Sequence, residues 1–403
     1  MKQIFLPVLI SSLVAADAIA ETTHTWDWGS RVRYANVDAN NSGQSASLLL
    51  RGNVQSQWHE IFATFVEVDS VSSRFKDDHS DGVRFNGQPL LQDPPGTEFN
   101  QAFAILNTDQ FLLHLGRQRI NLDNQRFVGG NGFWQNEQTF DALFSQFKLA
   151  SNSRFTYSYI ANANRIFGED ADKNNPGRGP LPSGITPPRP AANYGDHQQH
   201  THLTHVEWNE WDYTRVTAYA HRIDNLDMPA ASNATYGASV SVNYKIDRVK
   251  YRVQLEAAQQ DRFKLGHDHL PYYLIDAGVG VETVEFIARY EVLGESDGAA
   301  FITPLGSNHK FEGWAGVIGN TPNTGVRTAS IGVLWRASPI RLETHYLFFK
   351  DDVRGHAIGE EWDLDIAFRP IRKHNLSLRI AHFEPDNNSG AIRKVFLDYA
   401  YNL

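Results

Sequence analysis

Apolar and polar residues alternate with a period of two along most of the chain, the repeat of a β-strand, whose successive side chains point to opposite faces. In residues 249–257, Val249, Tyr251, Val253, Leu255 and Ala257 form one row, and Lys250, Arg252, Gln254 and Glu256 form the other. Val284, Phe286, Ala288, Tyr290 and Val292 stand in the same way against Glu285, Arg289 and Glu291. Leu342, Thr344, Tyr346 and Phe348 oppose Arg341, Glu343 and His345, and Trp362, Leu364, Ile366 and Phe368 oppose Glu361, Asp363, Asp365 and Arg369. About eighteen such segments of about ten residues each are expected, the signature of a membrane barrel. Their centres fall near Val32, Leu49, Ala63, Phe103, Leu113, Leu143, Tyr157, Thr204, Thr217, Val240, Val253, Leu274, Ala288, Ile331, Thr344, Leu364, Leu378 and Leu397.

The connections alternate in length from the first strand onward. Short ones are expected near 55–57, 107–109, 150–153, 245–248, 336–339 and 370–373, and long ones at 70–97, 120–138, 162–199, 294–324 and 349–360. A soluble sandwich also alternates its side chains, but it has no reason to place long loops on every second connection. The expected fold is therefore all-β: a transmembrane antiparallel β-barrel of the outer membrane, with short periplasmic turns, long extracellular loops and both termini in the periplasm. Val395, Leu397, Tyr399, Tyr401 and Leu403 form a lipid-facing closing row, in which Leu403 replaces the Phe usual at that end.

The first residues agree with that compartment. Lys2, an apolar stretch at 4–16 and Ala18-Ile19-Ala20 before Glu21 read as a secretory signal peptide over 1–20, leaving the barrel to residues 21–403. The chain carries 37 Lys and Arg against 46 Asp and Glu, a net charge of −9, so nucleic acid is not an expected partner and outer-membrane lipid is. Cysteine is absent, which excludes disulfides, a thiol nucleophile and thiolate metal sites. No metal or cofactor is expected: His200 and His202 share a strand face that His205 does not, and Asp77, Asp78 and Asp81 read as a solvated cluster.

With the apolar rows turned to lipid, Arg31, Arg33, Arg51, Lys250, Arg252, Arg289, Arg341 and Arg379 point into the lumen beside Glu256, Glu285, Glu291, Glu343, Asp363 and Asp365. Guanidinium groups along a pore can pair with the carboxylates of a passing solute. Taken singly, each is explained more simply as half of a cross-strand ion pair. As a set they favour an anionic or sugar-like solute.

Two segments carry more than pattern. One is Gly116-Arg117-Gln118-Arg119-Ile120 with Arg126, Gly129, Trp134-Gln135 and Thr139-Phe140-Asp141-Ala142 behind it. The other is Thr303-Pro304-Leu305-Gly306-Ser307-Asn308-His309-Lys310-Phe311, then Gly313-Trp314-Ala315. Together they resemble the alginate export family of outer-membrane barrels, with Gly316 standing where that pattern usually has Asp. The resemblance implies passive export of an anionic polysaccharide, an alginate-like polyuronate, fed by a periplasmic export machinery. It assigns basic positions to Arg117, Arg119 and Arg126, an acidic one to Asp141, and a loop motif to Asn308, His309, Lys310 and Phe311. Arg117 and Arg119 fall in phase with lipid-facing Leu113 and Leu115, which places them at the outer rim and so at the mouth. The alternative on the same fold is an uptake porin for small acidic or neutral solutes. An outer-membrane hydrolase is a third reading, but no G-x-S-x-G occurs, so the chain is not expected to be an enzyme.

Overall fold

The computed structural model describes residues 22–173, 190–387 and 389–403. The expected signal peptide over 1–20 and most of the loop at 173–190 lie outside the described residues. The first strands are β1 (Thr23–Asp38), β2 (Ser42–His59), β3 (Phe62–Arg74), β4 (Gly96–Asn107), β5 (Phe111–Gln118), β6 (Thr139–Lys148) and β7 (Arg154–Asn164). Then come β8 (Asp196–Trp211), β9 (Thr214–Ile223), β10 (Asn233–Ile246), β11 (Val249–Arg262), β12 (His267–Val281) and β13 (Val284–Leu293). A two-residue hairpin, β14 (Glu295–Ser296) and β15 (Ala299–Ala300), sits in the following loop. The wall resumes with β16 (Val326–Ala337), β17 (Ile340–Lys350), β18 (Ala357–Phe368), β19 (His374–Pro385) and β20 (Ile392–Tyr401).

The wall is one 18-stranded antiparallel sheet in which each strand pairs with its neighbour in the chain. It closes where β1 meets β20, Ser30 opposite Tyr401 through Asp38 opposite Arg393. Closure leaves no sheet edge, which a barrel needs in lipid, where an unpaired backbone group has no water to bond. All eighteen expected centres fall in these eighteen strands.

The turns at the end that holds both termini are short throughout. One was expected at 55–57, but β2 runs on to His59 and Gln55 pairs with Phe65; polar side chains there do not interrupt the ladder. At the other end the long connections are 75–95, 119–138, 165–195 and 294–325, whereas the first connection is only 39–41 and the connection at 351–356 is shorter than expected. The outer surface is apolar, with exposed Val32, Leu115, Val253, Leu255, Ile275 and Ile331 facing lipid. Exposed Trp26, Trp28, Trp211, Tyr213 and Phe286 near the periplasmic ends, and Phe99, Tyr236, Tyr273 and Phe348 toward the outer ends, form the two aromatic girdles of an outer-membrane protein.

The inward face departs from a simple polar lumen. In the extracellular half, Tyr272, Leu274, Leu293, Leu347, Phe349 and Phe383 point inward and are buried against Phe301, Ala315 and Ile318 of the 294–325 loop. A second cluster packs Ile120, Leu122 and Val128 of the 119–138 loop on Phe140, Ile160, Leu203 and Ile223. The loops are thus drawn into the barrel by the hydrophobic effect, which gives about 1.5–3 kcal/mol for each large apolar side chain buried.

Candidate functional site: a cation-lined cavity beneath two infolded loops

The 119–138 loop crosses the lumen from β5. Asp123 accepts a bond from His205 Nε2 on β8 at 2.9 Å, and Phe127 packs against Tyr219, Tyr272 and Phe301. Arg33 Nη2 on β1 reaches the Phe133 carbonyl at 2.9 Å, and Arg31 Nε reaches the Gln135 amide oxygen at 2.8 Å. From the opposite wall, the amides of Trp314 and Ala315 in the 294–325 loop donate to Asp363 and Glu361 of β18 at 3.2 and 2.7 Å. The two loops join at a parallel bridge between Val128 and Leu305, where Gly129 N donates to Leu305 O at 2.9 Å. Contact here is backbone on backbone: a Cβ on Gly306 would lie 2.2 Å from the Arg126 carbonyl oxygen, so only glycine fits.

Arg126 is the hub of the junction and is fully buried. Its Nε donates to Glu291 of β13 at 3.0 Å, its Nη2 to Glu312 at 2.6 Å and its Nη1 to Asn308 at 3.1 Å. Glu291 also accepts from Tyr272 Oη at 2.8 Å and Arg289 at 3.1 Å. Burial pushes the Glu312 carboxyl up to about 7, against the pull of Arg126, and its Oε2 has no hydrogen-bond partner. A carboxyl raised in the folded state favours that state when protonated, so the stabilisation is full below about pH 4.5 and is lost as pH rises through about 7. Single-channel records between pH 5 and pH 8.5 should therefore show loop-opening events becoming more frequent above pH 7. Glu312→Gln, which stays uncharged, should abolish that dependence; an unchanged pH profile in Glu312→Gln would remove Glu312 from this role.

Beneath the joined loops lies a cavity of about 730 Å³, reaching Asn375, Ala400 and Leu403 at the periplasmic ends of β19 and β20. Its lining holds seven cationic residues, Arg31, Arg33, Arg252, Arg289, Lys310, Arg341 and Arg379, against four carboxylates, Asp276, Glu343, Asp363 and Asp398. The lining alone is positive although the whole chain carries −9; Asp93, Asp365, Glu285 and Glu291, outside the lining, pair with Arg33, with Arg341 and Arg379, with Arg252 and with Arg289. Aromatic rings hold several of these cations: Arg379 lies 4.4 Å from Trp314 and 4.8 Å from Phe133, Arg33 lies 4.4 Å from Phe133, and Arg289 lies 4.7 Å from Phe311. A ring face attracts a guanidinium without neutralising it, but Arg33 is also paired with Asp93 and Asp398, Arg379 with Asp365 and Arg289 with Glu291. Arg31 differs, because among the described residues it donates only to neutral acceptors, Gln135 and the carbonyls of Gly132 and Trp134.

Of the residues singled out by sequence, Arg31, Arg33, Arg252, Arg289, Arg341, Arg379, His309, Lys310 and Phe311 line this cavity. Asn308 braces Arg126 behind it, and Lys250 is exposed at the periplasmic end of β11. Arg51 bonds Asp69 at 2.6 Å and Glu137 at 3.2 Å, and Arg119 joins the same network through Glu67 and Glu137. Arg117 and Arg119 do not sit together at the mouth as expected. Arg117 keeps the phase of Leu115 and pairs across strands with Asp141 at 2.8 Å, on the outer face near the extracellular end. Arg119 lies beyond the end of β5, where the chain leaves the sheet and is free to turn inward. The histidine run also divides: His200 and His202 are exposed and bonded to the Tyr159 and Tyr157 hydroxyls, whereas His205 points inward. Sequence reasoning missed Glu312 altogether, although it sits directly after the loop motif.

No family model matches the chain, and no curated protein matches it by sequence. Solved structures do resemble it in fold. OccAB4 of Acinetobacter baumannii has a TM-score of 0.70 at 10% identity, covering 95% of this chain and 98% of that one. OccK1 (OpdK) of Pseudomonas aeruginosa has a TM-score of 0.69 at 10% identity over 94% and 98%, and a second structure of OpdK, with vanillate, matches equally. At this identity the likeness is one of fold. It corrects the expected kinship with alginate exporters, since the barrels that align over nearly their whole length are Occ proteins. The polysaccharide cargo and periplasmic export machinery implied by that kinship lose their support with it. The motif residues have another physical reason to be present: Arg119 and Arg126 anchor an infolded loop, and Arg117 pairs with Asp141 at the wall.

Proposed function

We propose that this protein is an outer-membrane porin that admits small acidic solutes, without catalysis and without a cofactor. The observation that carries the reading is the cavity itself: a space of small-molecule size, roofed by two loops and lined by seven cations against four acids. A solute carboxylate arriving there meets guanidinium groups that form charge-assisted hydrogen bonds, while Asp276, Glu343, Asp363 and Asp398 keep each contact weak enough to release. The infolded loops favour a compact solute over a polymer. OpdK, crystallised with vanillate, supports the choice of small carboxylates as the class.

The test is solute flux into proteoliposomes containing the refolded barrel. A small aromatic carboxylate should enter about tenfold faster than a neutral sugar of similar size, the preference expected from about 1–2 kcal/mol of charge attraction in a wet lumen. Equal rates for the two would refute the reading, and hydrolysis of any lipid or glycan by the purified protein would revive the enzymatic one.

A further inference from the structure

The cations of the cavity differ in how far their charge is already matched. Arg341 is bonded to Glu343 and Asp365, Arg379 to Asp365, Arg33 to Asp93 and Asp398, and Arg252 to Asp276 and Glu285. Arg31 has no ion pair among the described residues either but is held by three bonds to the 119–138 loop, whereas Lys310 is freer. Its ammonium donates to a single neutral acceptor, the Asn124 carbonyl at 3.1 Å, and it makes no ion pair among the described residues. It is also exposed to the lumen, unlike Arg126 two contacts away, which is fully buried. An ammonium has three donors, so two remain for a solute.

The surroundings hold that charge in place. Lys310 ends a short 3-10 turn, Asn308–Lys310, whose first residue is fastened to Arg126, Thr303 and the Gly319 carbonyl. Phe311 lies next to it, with the Lys310 ammonium 5.7 Å and the Arg289 guanidinium 4.7 Å from its ring centre. Arg289 gives one N–H to Glu291 from Nη2, its Nε is buried, and its Nη1 makes no hydrogen bond among the described residues. Two cations with spare donors therefore flank one aromatic ring in the lining of the cavity beneath the joined loops. The nearby acids are already engaged: Glu291 by three donors, and Glu343 by Arg341 and His345.

Resting on the reading of the chain as a channel for small acidic solutes, we propose that Lys310 is its specificity-determining residue, binding the solute carboxylate together with Arg289 where the 294–325 loop borders the cavity. Lys310 does this from the loop and not from the wall, so selectivity is lost when the loop withdraws. A surface lysine of no consequence would predict none of this.

The test compares wild type with Lys310→Met, Lys310→Arg and Lys310→Glu in planar bilayers, using reversal potentials in a chloride gradient and block by added benzoate. In the Met variant the anion-over-cation permeability ratio should fall about fivefold, the effect of one charge a few ångströms from the ion path. The Arg variant should keep the ratio, and the Glu variant should invert it. Heat-modifiable mobility on gels reports whether each variant still forms a barrel, and Lys250→Met serves as a control because Lys250 is exposed at the periplasmic end. If wild type selects anions and Lys310→Met selects them equally well, this proposal is overturned while the porin reading stands. If wild type itself shows no anion preference, both fall.

Discussion

Replacing Arg126 with Ala unpins both loops and raises single-channel conductance several-fold, with noisy transitions between levels. The substitution leaves Glu291 and Glu312 buried without their shared cation, and removing one partner from a buried ion pair costs about 3–5 kcal/mol. The loss is local, because the eighteen-strand wall holds together through its own backbone ladder. Hydrogen exchange should therefore accelerate in 119–138 and 294–325 while the barrel strands stay protected. Arg126→Met should behave much like Arg126→Ala despite its better fit, since two carboxylates still face an uncharged side chain. Normal conductance in Arg126→Ala would show that the apolar clusters under the loops hold them without the ionic hub.

The second large effect comes from removing charge at Arg31 and Arg379 together. Arg31 has only neutral acceptors, so Arg31→Gln strands no carboxylate. Arg379 shares Asp365 with Arg341, so in Arg379→Gln that carboxylate keeps a partner. The pair is thus close to a pure charge change. It leaves five cations against four acids in the cavity lining. At about 1 kcal/mol for each charge near the path in water, carboxylate flux should drop by a factor of about 10–30. Neutral solutes should pass at nearly the wild-type rate. Equal losses for both classes would point to a collapsed lumen instead of a lost field.

The barrel was legible because its information is local. Lys250, Arg252 and Gln254 alternating with Tyr251, Val253 and Leu255 state a strand and its two faces within a few residues, and closure follows once there are eighteen of them. The direction of the loops was not legible, because it depends on inward apolar residues that merge with outward ones. Phe348 ends the outward apolar row and Phe349 falls at the start of the expected 349–360 loop, yet Phe349 still belongs to β17 and is buried under the 294–325 loop. The ionic hub was hidden for a related reason. Arg126 and Glu291 lie 165 residues apart, and Arg33 and Asp398 lie 365 apart, so no spacing rule connects either pair. The short motifs around Gly116 and Thr303 were over-read for family. They mark where a loop leaves the wall and where two loops meet, and glycines and arginines are needed at such places whatever the cargo.

The most direct test of the account is the reversal potential of the refolded wild-type barrel in a planar bilayer under a tenfold potassium chloride gradient. The positive excess of the cavity predicts that chloride permeates faster than potassium and that millimolar benzoate reduces the current. A cation-selective or unselective current, indifferent to benzoate, would contradict it.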